Sequence, residues 1–234
     1  MNPLPTTEVS IPYPRVAKFV RQITHDVRNG LSALDLHAAY IAELVTDAEV
    51  LEEIRKLREM VTGNAAMLRE LSQAFQPLSL HPIPWPLETL YSEVEQRIRS
   101  RFADEPGIRF LPADFGPGLE ISVDLEQVIK AFGRVVENGI FFRGDNVELE
   151  VSAFVEGAEW VLQLREPKTD FSPEQPPETW GLVPMISTRP GGYGLGLWLV
   201  RQCMQGHQGS LRIALGDGVL CHQLRFPLAS VVAG

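Results

Sequence analysis

The feature that most narrows the fold is a recurrent spacing of apolar side chains through the first third of the chain. Val16, Val20, Ile23, Val27, Leu34, Ile41 and Val45 follow one another at steps of three, four or seven. That spacing predicts one long amphipathic helix, opened by Tyr13-Pro14, because proline is tolerated in a first helical turn. After a polar break at Thr46-Asp47, Val50, Ile54, Leu57, Val61, Leu68, Leu71 and Phe75 repeat the pattern. Two helices joined so tightly lie antiparallel. A lone hairpin leaves much of its seams in water, and pairing of two copies into a four-helix bundle removes that exposure, so a symmetric homodimer is expected.

The stretch Gln76 to Pro86 carries four prolines and no period, which predicts a linker. Beyond it the pattern becomes mixed. Helices are expected at roughly 87–101, 124–142 and 194–205, with strands near 108–112, 147–155, 159–165, 209–215 and 219–226. The organisation is therefore read as a leader at 1–13, a helical hairpin at 14–76, a linker at 77–86 and an α/β unit at 87–234. Fold class follows: an all-α hairpin, then an α+β sandwich of one sheet and one helical layer.

Composition removes several functional classes. Lys plus Arg total 21 against 30 Asp plus Glu, and a net charge of −9 repels a phosphate backbone, so no nucleic-acid partner is expected. No apolar run reaches the roughly 20 residues that span a bilayer, which predicts a cytoplasmic protein without a membrane partner. Cys203 and Cys221 lack metal or disulfide spacing and read as small packing residues. His37, His81 and His222 have no carboxylate or thiol at ligand spacing, so a metal hydrolase has no site, and no nucleophile elbow marks a serine triad.

Within the first helix the run His25-Asp26-Val27-Arg28-Asn29-Gly30 is unusual in its chemistry. His25 is two residues from Ile23 and from Val27, which turns it away from the seam those residues form. Asn29, four residues on, shares its face, and Asp26 follows directly. Imidazole attacks phosphorus only when neutral, and an adjacent carboxylate can fix its tautomer and take its proton. Near the other end, Gly191, Gly192, Gly194 and Gly196 precede and open an apolar helix, a pattern that lets backbone N–H groups approach a polyphosphate.

Together these segments resemble the histidine kinase core of two-component systems, from about residue 15 to about residue 228. The His25 run resembles the phosphoacceptor box, with Gly30 in place of the usual proline. The resemblance gives Asp26 a role in phosphorylation of His25 and Asn29 a role in positioning water. Val123 to Ile140 resembles the Asn-box helix, with Asn138 as the Mg²⁺-holding residue and Arg134 where a second Asn is usual. Gly192, Gly194, Leu195 and Gly196 resemble the second glycine box. Glu166 stands where the family has an adenine-binding Asp, but Lys168 and Asp170 fill the glycine positions that follow it. The segment at about 171–193, with Trp180 and Met185, resembles the mobile lid. ATP and Mg²⁺ are thus the implied cofactors, set against a degenerate adenine box, and a response-regulator receiver domain is the implied partner. Without a sensor segment before the hairpin, input is expected through a partner or the leader.

Three readings follow: a kinase that phosphorylates His25 from Mg-ATP and passes the group to a receiver Asp, an ATP-independent histidine phosphotransferase with a decayed nucleotide site, and a non-catalytic interaction protein. The intact His25-Asp26 pair weighs against the last.

Overall fold

The structure, a computed structural model, describes residues 13–76, 78–144, 147–169, 171–189 and 193–228. It divides into two compact units, Met1–Pro77 and Leu78–Gly234.

The first unit is a hairpin of α1 (Tyr13–Leu44) and α2 (Ala48–Ala74). Asp47 starts α2 by accepting hydrogen bonds from the Glu49 and Val50 amides at 2.9 and 3.2 Å, which satisfies donors that a helix start leaves open. Contacts within the hairpin differ from the expected seam. Among the described residues of α1, Ala17, Thr24 and Ala38, spaced by multiples of seven, are the buried ones, and Val61 and Phe75 are buried beyond them. Ile23, Val27, Leu34 and Ile41 remain exposed beside them. The apolar face of α1 is wider than one antiparallel neighbour can cover, so small residues meet α2 and the larger ones stay outside. Arg21 donates to the Phe75 carbonyl at 2.7 Å, and Arg58 pairs with Asp35 at 2.8 Å.

The second unit begins inside the stretch expected to be linker. There β1 (Ile83–Pro86) pairs antiparallel with β3 (Glu120–Val123), Ile83 opposite Val123. Prolines are admissible in this two-stranded ribbon because its outer edges need no ladder donors. The main sheet contains β2 (Ile108–Phe110), β4 (Leu149–Glu156), β5 (Glu159–Pro167), β6 (Ser210–Gly216) and β7 (Val219–Pro227), in the order β2-β4-β5-β7-β6. Only the β2–β4 pairing is parallel among these.

Alternation along the strands separates two faces. Leu149, Val151, Leu162, Leu164, Leu220 and Leu224 are buried in one core with α3 (Leu87–Arg101), α4 (Leu125–Phe142) and α5 (Gly196–Gly206). The opposite face is polar: Arg225 pairs with Glu156 and Glu159, and Gln223 donates to Gln163. Asp124 caps α4 through the Gln127 amide and also accepts from the His81 amide at 3.0 Å. Gly139 lets α4 lie close on the sheet, since a Cβ there would stand 3.0 Å from Leu164 and 3.2 Å from Leu149. No helix among the described residues is long and apolar enough to cross a membrane.

Candidate functional site

On α1 the imidazole of His25 is exposed, and its Nδ1 lies 3.1 Å from Asp26 Oδ1. Asn29 Nδ2 approaches the same nitrogen at 3.4 Å. The two neighbours ask opposite things of Nδ1: the carboxylate needs a donor, the amide nitrogen an acceptor. A charge-assisted bond at the shorter distance decides the matter for Nδ1–H, with the Asn29 amide turned to present its oxygen. The lone pair then sits on Nε2, the ring atom farther from the backbone. The bond to His25 and a second set from Gln22 Nε2, at 3.0 and 3.1 Å, hold the Asp26 carboxyl below its ordinary pKa. Asp26 is therefore an anion in the physiological range, fixing the histidine tautomer.

In the α/β unit the residues singled out by sequence fall on three elements. Asn138 is half-buried near the C-terminal part of α4, and a Cβ added at Gly196 would come within 3.8 Å of its Nδ2. Asn138 thus faces the opening of α5. Leu195 is the buried N-cap of α5 and offers no side-chain capping bond, which leaves the first amides of α5 without that partner. Gly194 has φ +63, and a Cβ there would collide with the Ile186 backbone, so glycine is required by the protein's own chain; Met185 N donates to Gly194 O at 3.2 Å. Gly192 and Asp170 lie outside the described residues. No cluster of three or more His, Cys, Asp or Glu suited to a metal occurs among the described residues.

Glu166 ends the inward face of β5, opposite Leu220 of β7. Its side chain is 1% exposed, and Lys168, itself only 7% exposed, places Nζ 2.5 Å from Oε1. The same ammonium donates to the Phe142 carbonyl at the end of α4, at 2.7 Å, and stands 5.1 Å from the centre of the Phe171 ring. Burial pushes the Glu166 carboxyl above its ordinary pKa, while Lys168 pulls it back. Phe171 packs edge-on against Trp180, whose indole donates to Gln175 O at 3.1 Å. By sequence Lys168 was a residue filling a glycine position, and its ion pair with Glu166 was missed. The signal was present: residues two apart at the end of a strand share a face, and these two carry opposite charge.

No protein-family model matches the chain. Among curated proteins, it is 23% identical over 223 residues to the methanogenesis regulatory histidine kinase FilI of Methanothrix harundinacea (strain 6Ac), covering 90% of this chain and 24% of that protein. It is 25% identical over 225 residues to the sensory histidine kinase/phosphatase NtrB of Vibrio alginolyticus, covering 89% and 61%. The chain therefore spans less than two thirds of these relatives. Full-length ShkA in complex with AMPPNP superposes with a TM-score of 0.71 at 18% identity, over 92% of this chain and 47% of that one. Histidine kinase ThkA in complex with the response regulator protein TrrA gives 0.57 at 15% identity, over 94% and 67%. The fold is that of a histidine kinase core, a helical hairpin followed by an α/β unit.

Proposed function

We propose that this chain, a histidine kinase core by fold, carries a phosphoryl group on His25 and exchanges it with an aspartate of a receiver domain. The observation that carries the reading is the exposed imidazole whose Nδ1 is engaged by an ionised Asp26, 3.1 Å away. Attack by Nε2 on an aspartyl phosphate forms the N–P bond and breaks the acyl O–P bond, returning the receiver carboxylate. The imidazolium charge that develops is stabilised by Asp26 across Nδ1–H. In the reverse direction the N–P bond breaks and the lone pair returns to Nε2. Asn29, one turn on, presents a polar amide to the same ring and is suited to hold water there. The hairpin acts as a homodimer, through the apolar stripe that α1 leaves exposed.

The reading is tested with receiver domains charged from radiolabelled acetyl phosphate and mixed one at a time with the full chain. Base-stable, acid-labile label is expected on the wild type from at least one receiver, and none on His25→Ala. A folded wild-type protein that takes no label from any of them rejects the proposal. Asp26→Asn keeps the side-chain shape but removes the charge that fixes Nδ1–H. It is expected to slow labelling by about a hundredfold or more, within the range of general-base effects, with little change in thermal stability because the pair is exposed.

A further inference from the structure

ATP is the cofactor that this fold implies, and the residues around Glu166 can be tested against it. An adenine amino group is a neutral donor that needs a free acceptor and a flat apolar slot. Glu166 Oε1 is buried without a well-formed hydrogen bond, and its acceptor side is taken up by the ion pair with an ammonium 2.5 Å away, both side chains being buried. That ammonium is in turn fixed from two other sides, by the Phe142 carbonyl at 2.7 Å and by the face of Phe171 at 5.1 Å. The Lys168 backbone is held as well, its N–H donating to Gly218 O at 2.7 Å, so the side chain cannot leave by a shift of the strand end alone.

For adenine to reach Glu166, the lysine must swing out. Its bond to Phe142 O then breaks and Phe171 loses its cation. An amino group put in its place supplies one hydrogen bond but no counter-charge, leaving a buried carboxylate that burial already disfavours. Adenine and the residues present therefore do not fit together.

We infer that Lys168 is an internal plug: its ammonium occupies the base subsite between Glu166, Phe142 and Phe171, and closes the α/β unit to adenine nucleotides. The phosphoryl group on His25 then comes from a partner and not from ATP held by this chain. The plug itself does not depend on His25, so carriage by His25 and closure by Lys168 stand or fall on separate measurements.

The test uses the full chain with N-methylanthraniloyl-ADP and Mg²⁺, read by fluorescence anisotropy, with unlabelled ADP and tripolyphosphate as competitors. No saturable binding is expected for the wild type at millimolar ADP. Lys168→Gly, and Glu166→Asp combined with Lys168→Gly, are expected to gain saturable binding at nucleotide concentrations on the order of a hundredfold below millimolar, displaced by ADP and not by tripolyphosphate. Folding of each variant is checked by circular dichroism. Saturable ADP-displaceable binding to the wild type overturns the inference whether or not the variants fold. So does failure of both folded variants to bind, because the barrier would then lie elsewhere than in Lys168. Labelling of His25 by a charged receiver is expected to be unchanged in Lys168→Gly.

Discussion

His222 faces the helical layer from β7, opposite Leu164 of β5 and Ile213 of β6. It is 2% exposed, and its Nδ1 has no hydrogen-bond partner among the described residues. Burial, and after it the charge of Lys168, lower its pKa from 6.5 to about 4. Between those values the unfolded chain binds a proton that the folded chain refuses. The associated stability is fully present above the unfolded value and is lost as pH falls toward the folded one, up to roughly 3 kcal/mol. Glu166, raised by burial, acts in the other sense: its contribution is present below the ordinary carboxylate value and is lost as pH rises through the raised one. The two oppose each other, so the informative quantity is a difference between proteins. Urea unfolding of His222→Leu is expected to lose less free energy than the wild type between about pH 7 and about pH 4.5. Parallel curves for the two proteins would remove His222 as the source.

Arg201 links three elements that share no ladder. Its guanidinium donates to Trp180 O at 2.7 Å, Leu211 O at 3.0 Å and Glu178 O at 2.8 Å, tying the short 3₁₀ turn Pro177–Thr179 to α5 and β6. Arg201→Ala leaves three carbonyls short of a donor and is expected to destabilise by about 1–3 kcal/mol. Hydrogen exchange should quicken across residues 178–189 while β4 and β5 stay protected, and unchanged exchange in that segment would show that something else holds it. Arg201→Lys should fall between, since one ammonium lacks the planar fork that serves three acceptors at once. This clamp was invisible in the sequence, where Arg201 is one more polar residue on a helix. Elements whose own periodicity sets them apart, such as α4 and β5, were legible to within a few residues. β1 and β3 were not: each has four residues, β1 contains Pro84 and Pro86, and the pairing joins segments that local pattern does not connect. In the candidate site the residue types were legible and their reach was not. The Lys168 bond to Phe142 O spans 26 positions and exists only because the end of α4 packs beside the end of β5.

At the scale of the whole molecule one exposed apolar surface runs along α1. Ile23, Val27, Leu34 and Ile41 are 44–53% exposed, and Leu57, Met60 and Met67 of α2 are exposed as well. Side chains of this size are each worth about 1.5–3 kcal/mol when fully buried, so a stripe of them is a strong drive to association. The chain's net charge of −9 opposes unspecific clustering, which leaves a closed two-fold pairing as the economical arrangement. Light scattering of the full chain is therefore expected to give about twice the chain mass. Val27→Glu combined with Leu34→Glu should give the single-chain mass, because burying two carboxylates in a symmetric seam places four charges in a small apolar volume. The internal contacts of the hairpin, at Ala17, Thr24, Ala38 and Val61, are untouched by these changes, so helix content should persist. Thermal midpoints add an independent check: that of the wild type should rise with protein concentration and that of the variant should not. A wild-type chain that scatters as a monomer at micromolar concentration would sink the dimer and leave the α1 stripe to a different protein.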